Sequence, residues 1–132
     1  MAASAFCLDS DVLIWHLRVG SRPEVSAHLQ ALADRGTLMT TAVSVAEVEQ
    51  GVRAGEEDRT RRLLRALRVI AIDRDVAEMA GEIVRSLRSG GETLGLADAL
   101  IASACLLHGL TLVTLNVRHF SKVSGLSVEL IP

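Results

Sequence analysis

Cysteine, lysine and aromatic side chains are what this chain has least of, and each shortage excludes something. Its two cysteines, Cys7 and Cys105, have no paired spacing, so they read as buried reduced thiols rather than a disulfide or a zinc site. Trp15, Phe6 and Phe120 are the only aromatic residues besides histidine, and tyrosine is absent. That argues against a platform on which bases stack. One lysine, Lys122, stands beside thirteen arginines, and the net charge is −2; no broadly basic nucleic-acid surface is advertised. The longest apolar stretch, 96–110, is broken by Asp98 and His108 and falls short of the ~20 residues that span a bilayer. No basic segment and apolar core precede Asp9, so no secretory signal is expected. A cytoplasmic protein without membrane contact is the expectation.

What is present is a compact core. With 132 residues and 49% apolar content, a single domain over 1–132 is expected. Short apolar runs that read as strands are 5–8, 37–41, 69–72, 111–114 and 127–131. Between them lie helical patterns: one from Val12, one over 24–33 with Val25, Leu29 and Leu32 on one face, and one over 42–54. Others cover 58–67, the stretch from the N-cap Asp73 to about Arg88, and 96–108 with Gly109 as its C-cap. On that last helix Leu96, Leu100, Ile101, Ala104 and Leu107 are expected to mark the buried face. Strands alternating with helices and joined by short loops imply a three-layer α/β domain with a central, mostly parallel sheet of four to five strands.

The chemistry-bearing residues fall at the joints of this pattern. Asp9 and Asp11 lie in the turn from the first strand to the first helix, where open α/β sheets place their sites; a helix cap at Ser10 or Asp11 is the plainer reading. Glu47 follows the second strand, although Ser44-x-x-Glu47 also has the spacing of a capping box. Asp98 sits in an apolar helix, where a carboxylate is costly unless paired, bound to a cation or used as an N-cap. Asn116 follows the fourth strand. Carboxylates gathered in one cleft repel one another unless a cation lies among them, and oxygen ligands select Mg²⁺ or Mn²⁺. Five arginines lie between Arg59 and Arg68, and Arg61, Arg65 and Arg68 share a helical face that reads as solvated or as a phosphate contact.

Taken in order, LDSDVLI, SVAEVEQG, LADALIAS and LVTLNVRHF resemble the PIN-domain ribonucleases, specifically the VapC-type toxins of bacterial toxin–antitoxin pairs. The likeness runs from Phe6 to about Glu129. It implies a Rossmann-like sheet, a homodimer, a small VapB-like antitoxin as partner, and RNA as substrate. It also implies a Mg²⁺ or Mn²⁺ site at Asp9, Glu47 and Asp98, supported by Ser10 and Asn116. Asp11 departs from the asparagine common in the family's first motif. His119 stands where many members carry a fourth acid, which predicts a weakened second metal position. Arg18, Arg53, Arg118 and Lys122 are loop-placed candidates for the RNA backbone. Two other readings fit parts of the pattern. A haloacid-dehalogenase-like phosphatase shares the D-x-D turn but needs a lysine at a later strand end. A catalytically inactive PIN-like binding module would keep the acids as structural groups.

Overall fold

A computed structural model describes residues 4–18 and 20–131. The elements follow the order β1 (Ser4–Leu8), α1 (Ser10–Leu17), α2 (Pro23–Arg35), β2 (Gly36–Thr41), α3 (Ala42–Gln50), α4 (Glu57–Ala66), β3 (Arg68–Ile70), α5 (Arg74–Ser89), α6 (Leu96–His108), β4 (Thr111–Thr114), α7 (Val117–Phe120) and β5 (Val128–Leu130). The five strands form one parallel sheet in the order β3-β2-β1-β4-β5. From β1 the chain moves outward through β2 to β3, then returns to fill the other side with β4 and β5. The strand order therefore reverses between β1 and β4, and the crevice outside their carboxyl ends is where an open α/β sheet binds its ligands.

Period-two alternation divides β1 between two cores. Phe6 and Leu8 pack on one face with Val12, Leu13, Val25, Leu29, Leu32 and Leu64, and Cys7 on the other with Val76, Ala80, Ile101 and Leu112. Helices thus cover both faces, as an all-parallel sheet requires. The thiols of Cys7 and Cys105 are free, buried and adjacent. The hydrogen bond between them, reinforced by burial, pushes the Cys7 thiol far above its ordinary value.

Several details differ from the sequence expectation. Helix α3 ends at Gln50, not Ala54, and β3 covers Arg68–Ile70 rather than 69–72, so Arg68 stands on a strand and not on the helical face of Arg61 and Arg65. The one-turn helix α7 is additional. On α6, Leu96 and Leu107 are exposed, whereas 101–105 are buried without interruption. This helix lies between β-sheet and α5, so small residues can be enclosed on several sides and no single apolar stripe records the buried face.

Close strand approach fixes one glycine. Gly36 is paired with Ser4, and a Cβ built on it would stand 2.0 Å from the Ser4 carbonyl oxygen. The obstacle is backbone, so it cannot turn aside. Gly36→Ala is expected to destabilise the fold by about 1–3 kcal/mol; an unchanged urea midpoint would refute the close pairing of β1 with β2.

Candidate active site

The carboxyl ends of β1 and β4 carry one connected polar network. Asp9 follows β1 directly with extended backbone and is the N-cap of α1, its Oδ1 accepting from the Ser10 N–H at 2.8 Å. Its other oxygen, Oδ2, accepts from the Thr114 hydroxyl at 2.8 Å, and Thr114 is the last residue of β4. The same hydroxyl lies 3.4 Å from Asp11 Oδ2 and accepts from the Asn116 N–H at 3.0 Å. Asp11 Oδ2 also accepts from the Leu115 N–H at 3.3 Å. Thr114 thus ties the first turn of α1 to the end of β4. It was absent from the sequence candidates, and its signal was modest: a hydroxyl residue closing the strand two positions before Asn116.

Electrostatics sets this network apart from an ordinary helix cap. Burial first, then the neighbouring Asp11 charge and more weakly that of Asp98, raise Asp9 to about 7 against the opposing hydrogen bonds from Thr114 and Ser10. Burial is also the main reason that Asp11 is raised, again with a contribution from Asp98. The charged groups acting on these two acids are other carboxylates. Asp11 Oδ1 is buried with no hydrogen-bond partner among the described residues. A buried, unpartnered carboxylate oxygen calls for a proton or a cation.

Two further groups complete the network. Ser10 Oγ donates to Glu47 Oε1 at 3.0 Å, joining α1 to α3. Here the capping-box reading of Glu47 fails. The N-cap of α3 is Thr41, whose Oγ1 accepts from the Ser44 N–H at 3.1 Å, so Glu47 lies beyond the first turn and its carboxylate is turned to Ser10 instead. Asp98 is in the first turn of α6, but Gly95 caps that helix, which disposes of the N-cap reading. Asp98 Oδ2 lies 3.3 Å from His119 Nδ1, and the Asn116 amide is 3.0 Å from the same ring nitrogen. The Asp98 side chain retains 29% exposure, so the deep burial inferred from its apolar sequence surroundings does not hold. Its neighbours along the chain are apolar, but it lies at the helix end that opens on the crevice.

The family model for the PIN domain matches residues 6–126. The chain belongs to the PIN-domain family. Ribonuclease VapC10 of Mycobacterium tuberculosis is 39% identical over 115 residues, spanning 86% of this chain and 84% of the relative. A crystal structure of VapBC2 from Rickettsia felis, bound to a DNA fragment from their promoter, matches with a TM-score of 0.80 and 25% identity over 95% of this chain and 97% of the other. A toxin–antitoxin complex from Klebsiella pneumoniae matches with a TM-score of 0.76 and 29% identity, covering 96% and 97%. Within the family, this PIN domain is of the VapC type.

The basic candidates divide. Arg118 lies on α7 between Asn116 and His119 and is exposed, as is Arg53 beyond α3. Arg18 caps the far end of the eight-residue α1 and lies 5.4 Å from the Trp15 ring centroid. Lys122 donates to the Thr93 carbonyl and is 3.8 Å from Glu92, so the lysine a phosphatase would need is engaged elsewhere. Arg61, Arg62 and Arg65 line an open depression of about 520 Å³ on α4. No helix is long and apolar enough to cross a membrane among the described residues.

Whether these side chains suit a metal follows from their chemistry. Among the described residues no three His, Cys, Asp or Glu side chains are drawn together tightly enough to hold an ion as they stand. The donors nevertheless fit a hard divalent cation in kind. Asp9, Asp11 and Asp98 offer only oxygen, the charges of Asp11 and Asp98 raise the proton affinity of Asp9 as that of Asp98 raises Asp11, and one buried oxygen is left over. Mg²⁺ and Mn²⁺ are the ions that carboxylate oxygens favour.

Proposed function

We propose that this PIN domain is a metal-dependent endoribonuclease, the toxin of a toxin–antitoxin pair, that cuts RNA by attack of water and leaves 5′-phosphate and 3′-hydroxyl ends. The observation that carries this reading is the set of buried carboxylates whose charged neighbours are acids. Asp9 and Asp98 hold Mg²⁺ or Mn²⁺, with Glu47 at the side of the attacking water. When bound, the ion neutralises the phosphodiester and lowers the pKa of that water. Asp9 is fixed for its task by Ser10 and Thr114. Glu47, steadied by Ser10 Oγ, accepts the proton that the water releases. Asn116 positions the rim, and Arg118 and Arg53 offer charge to the RNA backbone on either side.

The Klebsiella pneumoniae structure is a toxin–antitoxin complex and the Rickettsia felis structure is of VapBC2, which supports a small VapB-like antitoxin as partner of this chain. An antitoxin segment that presents arginine or lysine to the carboxylates would silence the site by charge-assisted hydrogen bonds. The same reading includes a homodimer, for which exposed Leu96 and Leu107 supply apolar surface, and a cytoplasmic setting where RNA is met.

Cleavage of total cellular RNA by the purified protein tests this proposal. Cuts with 5′-phosphate ends are expected in Mg²⁺ or Mn²⁺, and neither in EDTA nor with Asp98→Asn. If folded wild type, free of antitoxin, is as silent as the variant in both metals, the domain is a binding module instead.

A further inference from the structure

His119 is more than a missing acid. It sits on α7, a single turn anchored by the buried Phe120, and its side chain is about half exposed. Its Nδ1 faces two groups at once, Asp98 Oδ2 at 3.3 Å and the Asn116 amide at 3.0 Å. One ring nitrogen cannot serve both neighbours as they are drawn. Protonated, it donates to Asp98 and opposes the Asn116 N–H; unprotonated, it accepts from Asn116 and turns a lone pair on a carboxylate. Rotating the Asn116 amide by half a turn, which exchanges its oxygen and nitrogen, sets two oxygens against the one ring nitrogen. A proton on Nδ1 then serves both oxygens, and a cation that displaces this proton takes Nδ1 and both oxygens as ligands.

The separations suit this arrangement. Neighbouring ligand atoms on an ion with bonds of ~2.1 Å lie about 3 Å apart, close to the 3.0 and 3.3 Å measured here. The geometry points to a second metal position formed by Asp98, Asn116 and His119, with an imidazole nitrogen among its ligands, that takes a first-row transition ion in preference to Mg²⁺. Mg²⁺ favours oxygen and keeps its waters, whereas imidazole suits the transition ions. The inference rests on the metal-dependent reading above, because Asp98 is shared between the two positions. It reverses the expectation that His119 weakens the outer position: the histidine changes which ion is accepted.

The test uses Mn²⁺ and Mg²⁺ with the full chain, wild type and His119→Gln, by titration and by pulsed electron paramagnetic resonance of bound Mn²⁺. Wild type is expected to give the ¹⁴N modulation of a coordinated imidazole, and His119→Gln to lose it. The variant should bind Mn²⁺ about 10-fold or more weakly, with Mg²⁺ affinity little changed. Matching thermal midpoints in EDTA would show that the fold is intact, as the exposure of His119 leads one to expect. Bound Mn²⁺ with an oxygen-only spectrum in wild type, or Mn²⁺ selectivity surviving in His119→Gln, would overturn the second position and leave the nuclease reading standing. Absence of any divalent binding to wild type would overturn both.

Discussion

Asp9→Asn is expected to abolish RNA cleavage while making the metal-free protein harder to unfold at pH 8. Both halves come from one cause. Asp9 is 6% exposed and surrounded by acids, so its charge is held for a purpose other than stability. The amide retains an oxygen for the Ser10 N–H and a polar group opposite Thr114, whose hydroxyl can turn to accept. The cap therefore survives, and only the charge goes. Loss of a charge that organises a metal-assisted reaction costs at least ~10²–10³-fold in rate. Removing a buried, uncompensated carboxylate relieves its desolvation and its repulsion from Asp11. The checks are cleavage of a mapped RNA substrate and denaturant unfolding in EDTA. A variant that loses both activity and stability would make Asp9 a structural cap. One that keeps its activity would move the reaction elsewhere.

This division between stability and function explains which parts of the molecule were legible in the sequence. The strands and most helices follow from apolar runs and from side chains that cap locally, such as Asp73 accepting from the Val76 N–H before α5. Local chemistry writes local structure. Asp9, Glu47, Asp98 and Asn116 were all expected near the carboxyl edge of the sheet, and the fold brings them into one hydrogen-bonded network there. Their pairings were not legible, because they join residues 37 and 105 positions apart, Ser10 with Glu47 and Thr114 with Asp9. Nor could sequence separation reveal that Cys7 and Cys105 meet between the sheet and α6. Glu47 shows the limit best: its capping-box spacing was genuine, yet Thr41 had already capped the helix.

In the metal-free protein, stability is expected to fall as pH rises from about 4 to 7, and a divalent ion should flatten that slope. The unfolded Asp9 carboxyl releases its proton near its ordinary value of 3.8, whereas the folded one keeps it until about 7. Between those values the native state binds more protons than the unfolded state, so unfolding becomes easier with each step upward in pH. The full stabilising contribution exists below pH 3.8 and is gone above about 7. Its ceiling is on the order of 4 kcal/mol, a large share of a small domain's total. Asp11 is raised in the same sense and steepens the fall. His16 acts the other way, since burial lowers it and favours its neutral form, so protonation below its ordinary 6.5 costs stability. Subtracting the profile of Asp9→Asn from that of wild type removes the His16 part and leaves the carboxyl. A bound ion takes the place of the proton, so with Mn²⁺ present the fall should shrink and wild type should gain on the variant above pH 7. Denaturant midpoints from pH 4 to 8, in EDTA and in Mn²⁺, measure both slopes. Identical profiles for wild type and Asp9→Asn in EDTA would mean that Asp9 is ionised throughout that range. The argument that its site needs a cation would then fail.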